Sequence, residues 1–439
     1  MEKAISIIMS YLDSTWGVLL QAKSQLSTTN AILMLSMLGM MLYRAWAGGA
    51  KPPKVTRKLT VVSEDDFPPI EPLDKFGWET TEPLQLRPYK PKYNLTMALE
   101  NLEPSELIPI DKEYKDRIYE RRKVLKENYD IALGIHSDKG TVHRDGEEAP
   151  LVHDAICELY EYVMGIYLPN RYPTMFTLMD AKFETGKVFM LQNKVTGEVL
   201  PASVSPGGSL IKALETLAKT IDEDMLILLP SENGEKLIKE GDDGLRDRRK
   251  GEKKESLKTS VSDKGNTKYV LQAYATCFPS GFNTREKLGK QLAAIHDPVP
   301  GYKEKLEKSM DRYFERLEVG KYMKRMNWTV TAGAELFSAF GDIHSSKNED
   351  LRPLKSEELD LDDTFLRVER QTLYRLPKSG AIVFSIHTYR YPIQQIKEEG
   401  SGEDLAAAID GIETGNIPHM GKYKRVPVWG QAVKDYLRS

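Results

Sequence analysis

Chemistry at a metal or a metal-bearing cofactor needs histidine, cysteine or converging carboxylates, and the chain offers 7 histidines and 2 cysteines. One histidine stands apart. The run from Lys287 through Leu288, Gln291, Leu292 and Ile295 predicts an amphipathic helix that ends at His296, and Asp297-Pro298-Val299-Pro300 behind it forces an extended turn. An imidazole fixed at such a junction has a rigid backbone and an apolar flank, the two conditions an axial ligand to heme iron requires. The same spacing suits a hydrogen-bonded core histidine capping the helix C-terminus, and the residues by themselves leave both readings open. Most of the other histidines, His136, His143, His153, His344, His387 and His419, fall in polar, loop-like stretches.

Cys277, next to Phe278-Pro279, has the chemistry of an axial thiolate or of a small buried hydrophobe. Asp222, Glu223 and Asp224 could hold a metal, yet adjacent side chains point in different directions and more often cap or face water. Arg367, Glu369, Arg370 and Arg375 surround a strand-like stretch and suit either carboxylate recognition, as of heme propionates, or a surface salt-bridge ladder. No nucleophile elbow, phosphate-binding loop, HExxH or CxxC is present.

The elements that must position these residues alternate irregularly. Helices are expected around Tyr114 to Asn128, from Val152 to Tyr167, from Ile211 to Thr220, from Thr284 to Ile295 and from Tyr302 to Glu318. Strands are expected at Lys187 to Gln192, Glu198 to Val204, Met225 to Leu229, Tyr269 to Phe278 and Ala381 to Tyr389, the first two joined as a hairpin. Without regular βαβ units or a glycine-rich phosphate loop, the pattern favours α+β over a doubly wound fold. The chain of 439 residues divides into an amphipathic segment and anchor (1–50), a proline-rich linker (51–92), a globular domain (93–395) with a charged insertion (239–266), and a C-terminal tail (396–439). That insertion is read as solvated, a partner-docking loop being the sharper alternative. A net charge of -3 with 29% charged residues gives no global basic field, so nucleic acid is not an expected partner. Two thiols make no disulfide framework, which points to a reducing compartment.

Ala31 to Tyr43 is apolar apart from Ser36 and Gly39, and the span counted from Thr28 to Gly49, with Arg44 reaching to the headgroups, meets the roughly 20 residues a bilayer core requires. It is expected to be a transmembrane helix in contact with membrane lipid. Lys51, Lys54, Arg57 and Lys58 follow it, placing the C-terminal domain in the cytosol, at the endoplasmic reticulum or another intracellular membrane. A cleaved secretory signal and a buried amphipathic tail are the competing readings.

Several stretches are together recognisable: Asn94-Leu95-Thr96, Asp111-Lys112-Glu113-Tyr114, Leu168-Pro169-Asn170-Arg171-Tyr172-Pro173, Asp222-Glu223-Asp224-Met225, Cys277-Phe278-Pro279-Ser280, Lys287-Leu288-Gly289, Ile295-His296-Asp297-Pro298-Val299-Pro300, Arg325-Met326-Asn327-Trp328 and Arg367-Val368-Glu369-Arg370-Gln371-Thr372-Leu373-Tyr374-Arg375-Leu376-Pro377. By these the chain resembles the heme-dependent oxidative N-demethylase alpha-subunit-like family from about Asn94 to Ile393. The resemblance implies a PAS-like fold, an antiparallel sheet flanked by helices, that carries heme b. It implies a heme-dependent monooxygenase acting on a small organic substrate, with oxygen-dependent removal of an N-methyl group and release of formaldehyde. It makes His296 the leading axial ligand, has Arg325, Asn327 and Trp328 line or brace the pocket, and has Arg370 and Arg375 meet propionates or substrate. His387 stands where the family more usually has arginine, and the anchor and the insertion are additions to its core. No flavin or nicotinamide fingerprint is visible, so electrons are expected from a separate flavin/NADPH reductase. The alternatives are a heme-binding PAS-like sensor without turnover and a membrane scaffold without heme.

Overall fold

A computed structural model describes residues 58–137, 140–142, 150–183, 186–231, 267–333, 335–341, 343–345, 349–417 and 419–439. The chain divides into two units, Met1–Thr56 and Arg57–Ser439, and every described residue belongs to the second. The charged insertion expected at 239–266 lies outside the described residues.

Eleven strands follow one another in the described chain: β1 (Glu100–Asn101), β2 (Leu133–Ser137), β3 (Gly140–Val142), β4 (Phe176–Phe183), β5 (Gly186–Asn193), β6 (Val199–Pro201), β7 (Asp224–Pro230), β8 (Tyr269–Ala275), β9 (Tyr322–Ala332), β10 (Thr364–Arg375) and β11 (Ile382–Pro392). Eight of them form one sheet in the order β1-β9-β10-β11-β7-β8-β2-β3, and β4-β5-β6 form a second. Neighbours pair antiparallel throughout. The β5–β6 hairpin closes where the Asn193 side chain accepts from the amides of Val195 and Thr196 and Gly197 takes a φ of 77°, a turn that the Asn-x-x-x-Gly spacing encodes.

Helices α1 (Tyr114–Glu127), α2 (Pro150–Glu161) and α3 (Leu210–Thr220) present apolar stripes to one buried cluster with Ile227, Leu229, Ala273 and Val383. Helices α4 (Glu307–Arg316), α5 (Gly402–Thr414) and α6 (Val426–Arg438) join a second cluster with Leu226, Leu228, Leu271 and Ile386. On β7 the odd and even residues divide between the two clusters, as strand alternation requires. On β8 the division holds only because the register shifts between Ile227 and Leu228: Ala273 pairs with Ile227 and Leu271 with Leu228, leaving Gln272 as the extra residue of a bulge. The bulge turns Leu271 toward the second cluster.

The α+β class with an antiparallel sheet flanked by helices is what the structure shows. The expected N-terminal transmembrane helix and single-pass membrane location are corrected: among the described residues no helix is long and apolar enough to cross a membrane. The stretch 28–49 on which that expectation rested lies outside the described residues.

Three further elements differ from the sequence reading. Of the proline-rich linker, residues 58–92 lie along the globular unit. Val62 and Phe67 are buried, Phe67 stacks on Tyr162 at 3.9 Å, and buried Glu161 accepts from the Val61 and Val62 amides. Prolines remove donors, so such a segment is held by side chains rather than by a ladder. Residues 396–439 form α5 and α6, whose Ile409, Ile412, Trp429 and Val433 fill the second cluster, so they complete the core. The helix expected from Thr284 to Ile295 is a 3-10 turn, Thr284–Lys287, and one α-turn, Leu292–Ile295. Between them Gly289 has a φ of 75° and donates to the Leu271 carbonyl, while Leu271 donates to Lys290. Pairing with β8 outcompetes helix because it satisfies backbone groups at that strand.

Gly411 of α5 sits against the carbonyl of Pro91, and its own carbonyl accepts from Tyr93. In Gly411→Ala the Cβ meets backbone, which cannot swing aside. Overpacking costs about 1–3 kcal/mol against a helix-propensity gain of about 1 kcal/mol. A net loss of up to about 2 kcal/mol in a denaturant titration is expected, with the Tyr93 segment displaced; an equally or more stable variant would show that the segment is not held there.

Candidate functional site

Along β9 Arg325 and Asn327 share a face, and along β10 Glu369, Gln371 and Leu373 do the same. The register sets Asn327 opposite Glu369 and Arg325 opposite Gln371. On β11 Ile386 pairs with Gln371 and Phe384 with Leu373, and Phe384 pairs in turn with Leu226 of β7. With Leu228 and the bulge-turned Leu271 these side chains floor a cavity of about 240 Å³. Its other walls come from Tyr93 and Leu95, the turn that ends at His296, α4, and the Met420–Lys424 segment. A wider cleft of about 1020 Å³ shares His296, Val299, Tyr302 and Tyr423 with it.

His296 is the C-cap of the Leu292–Ile295 turn. Its Nδ1 lies 2.8 Å from the Leu292 carbonyl. A carbonyl can only accept, so Nδ1 carries the proton and Nε2 keeps its lone pair. The ring stacks on Tyr302 with centroids 4.6 Å and planes 9° apart. Burial pushes its pKa down to about 4 against the Leu292 hydrogen bond, with Lys287 and Arg325 adding to the shift. The surface it retains faces the cavity and the cleft. The imidazole is therefore neutral near pH 7 and oriented from behind, the state in which it ligates a metal.

The polar wall is unbalanced. Glu369 is the one carboxylate among the described residues that line the cavity, against Lys287, Arg325 and Lys424. Asn327 and Gln371 donate to Glu369 at 3.3 and 2.7 Å. Lys424 donates to Asn327 Oδ1 at 3.0 Å and to the Trp328 carbonyl, and Lys287 donates to the Ile295 carbonyl at 2.8 Å. Burial pushes both ammonium groups down to about 8, since carbonyls and amides compensate a buried charge only in part. Burial likewise lowers Arg325, whose Nε has no hydrogen-bond partner among the described residues.

Of the residues expected in a cofactor pocket, the structure gathers His296, Arg325 and Asn327 around the cavity. Trp328, next along β9, does not line it; its ring lies edge-on to Tyr89 at 5.9 Å. Arg370 donates to the Glu106 and Leu107 carbonyls, and Arg375 to the carbonyls of Leu317, Phe314 and Gly380 and to Tyr269 Oη. Both guanidiniums thus tie loops to the sheet and lie outside the cavity lining. Arg367 does the same for the Phe278 and Pro279 carbonyls. Cys277 is fully buried away from the cavity; burial pushes its thiol up to about 12, the state of a small hydrophobe.

Asp222, Glu223 and Asp224 do not face water. Arg117 Nε donates to Asp222 at 2.8 Å, and Arg121 Nη1 to Asp224 at 2.8 Å. His387 stands 3.5 Å from Asp222 and 3.2 Å from Glu223. Burial raises Asp222, but Arg117, His387 and Arg121 outweigh it and hold the carboxyl below its usual range. Among the described residues no group of three or more metal-binding side chains converges, so these carboxylates are structural anchors.

Sequence reasoning missed His344, Lys287, Glu369, Gln371 and Lys424 as cavity residues. Glu369-x-Gln371 and Arg325-x-Asn327 carry a usable signal, since period-two polar pairs on buried strands must face a common space. Lys424 has no local signal, because only tertiary packing brings it to β9.

A family profile described as "Haem-dependent oxidative N-demethylase, alpha subunit-like" matches residues 98–434, a span that holds both sheets, α5, most of α6 and the cavity lining apart from Tyr93, Leu95 and Met97. The chain belongs to the haem-dependent oxidative N-demethylase, alpha subunit-like, family.

Proposed function

We propose that the chain is a heme b monooxygenase that removes an N-methyl group from a small organic amine and releases formaldehyde. The carrying observation is His296: a neutral imidazole with its tautomer fixed by Leu292 and its Nε2 lone pair unspent, on the wall of a mostly apolar cavity.

The residues present fit a heme. Ligand sites for molecules of drug size run to roughly 300–1,000 Å³, and the cavity together with the adjoining cleft reaches that range. The two propionates of a heme carry the charge that Lys287, Arg325 and Lys424 need beyond Glu369. Arg325, with its unpartnered Nε, is the best placed to take one. His296 would hold the iron, and the bound iron would supply oxygen activation.

The chain's own groups set the rest. Leu226, Leu228, Leu271 and Phe384 exclude water from the reacting face. Glu369, steadied by Asn327 and Gln371, presents a carboxylate to a cationic amine nitrogen. Overall one oxygen atom enters the N-methyl C–H bond and the other leaves as water. The C–N bond of the resulting carbinolamine then breaks to formaldehyde and the demethylated amine. The two electrons come from a separate flavin/NADPH reductase, and the two protons that complete the water come from solvent.

The test is a hemin titration of the purified chain, followed by reductant-driven oxygen uptake with and without methylated amines. A Soret band saturating at one hemin per chain and amine-dependent formaldehyde are expected. Because an adjacent anion raises an ammonium pKa, Lys287 and Lys424, now near 8, should gain protons on binding at pH 9. Calorimetry in buffers of different ionisation enthalpy reads that uptake. A chain that stays colourless sinks the proposal; a Soret band without substrate-dependent turnover leaves a sensor.

A further inference from the structure

His296 is one of two imidazoles prepared alike on this cavity. His344, carried by the connection between β9 and β10, lines the same cavity. Its ring stacks on Tyr423, with centroids 4.4 Å and planes 17° apart, as that of His296 stacks on Tyr302. The Ser280 carbonyl faces its ring and favours a proton there, as the Leu292 carbonyl does at Nδ1 of His296. In each case the carbonyl takes the N–H and leaves the other nitrogen with its lone pair. Both rings sit in the field of the same ammonium, Lys287. Tyr423, on which His344 stacks, stands with His296 at the boundary between cavity and cleft.

The setting is built for the ring. Gly281, with a φ of 74°, leaves the space that His344 Nδ1 needs; a Cβ there would lie 2.9 Å from that atom. Burial pushes the His344 pKa down to about 3, with Lys424 adding to the shift, so the imidazole is neutral across the physiological range. A histidine kept only for packing would be hydrogen-bonded as well; what sets His344 apart is its place in the lining of the cavity that His296 also lines. Neutral imidazole nitrogens are strong iron donors.

We propose that His344 is a second iron-directed imidazole, which in the resting ferric protein occupies the axial position opposite His296 and closes it until substrate displaces the ring. This rests on the heme reading above. It makes His344 a gate on the second axial position, while His296 remains the permanent tether.

The experiment is the ferric absorption and electron paramagnetic resonance spectrum of the hemin-loaded full chain, beside His344→Ala and His344→Gln. The glutamine variant keeps a donor for the Ser280 carbonyl, which guards against simple misfolding. A low-spin spectrum is expected for the unaltered chain. Both variants should retain hemin at one per chain, turn high-spin, and return to low-spin when free imidazole is added. A high-spin spectrum for the unaltered chain, or a low-spin spectrum unchanged in both variants, overturns the proposal and leaves the heme reading standing. Loss of hemin from both variants would make His344 part of the permanent tether, which also overturns the gate. If the unaltered chain takes up no hemin, the heme reading itself fails.

Discussion

His296→Ala is expected to lose stoichiometric hemin: the Soret band of the titrated protein falls to that of free hemin, while the far-ultraviolet spectrum and the denaturation midpoint stay nearly unchanged. The ring makes one hydrogen bond, to Leu292, and one stacking contact, to Tyr302, and it is partly buried beside the cavity and the cleft. Its removal takes little from the fold, on the order of 1 kcal/mol for a hydrogen bond and about 0.5–1.5 kcal/mol for an aromatic pair. It takes the permanent metal–ligand bond from the site and leaves only the displaceable His344. A variant that keeps a tightly bound heme with an unchanged spectrum would move the tether elsewhere. Cys277 could not inherit it, since its sulfur lies outside the cavity lining with a thiol pKa near 12.

The opposite division of effects is expected at Arg121. This side chain is fully buried and donates to the Ala218 and Glu223 carbonyls and to Asp224, whose carboxylate also accepts from the Cys277 and Phe278 amides. Arg121→Ala removes the cation and strands a buried carboxylate with two carbonyls. Breaking a buried pair from one side costs about 3–5 kcal/mol, a large part of the roughly 5–15 kcal/mol that holds a domain together. A shift of that size in the denaturant midpoint is expected, or no soluble protein; a change under about 1 kcal/mol would show that the pair is not ionised. Acid should act on the same network. Asp222 titrates below its unfolded value, so its contribution is present above the unfolded pKa and is lost as pH falls through the folded one.

These contrasts show how much of the molecule was legible. The α1 helix and the β5–β6 hairpin follow from local spacing and turn residues and stand where expected. The His296 junction was right about the proline-pinned bend and wrong about the helix before it. There Gly289 turns left-handed and its neighbours pair with β8, a partner remote in sequence. Arg370 and Arg375 were grouped with Glu369 because all three belong to one strand-like stretch. Arg370 stands on the opposite face of its strand, and Arg375 at the strand's end is spent on loop carbonyls. Alternation applied strictly would have separated Arg370 from Glu369 and Gln371. Nothing near Lys424 or His344 announces a site, since each gains its meaning from a ring, a carbonyl or a strand that folding delivers.

Because Met420, Tyr423 and Lys424 close a cavity whose floor and His296 come earlier in the chain, the order of biosynthesis bears on how the protein becomes active. Translation runs at roughly 5–20 residues per second, so the closing segment leaves the ribosome on the order of ten seconds after the histidine it encloses. On the heme reading, a prosthetic group captured in that interval would meet an unfinished vessel.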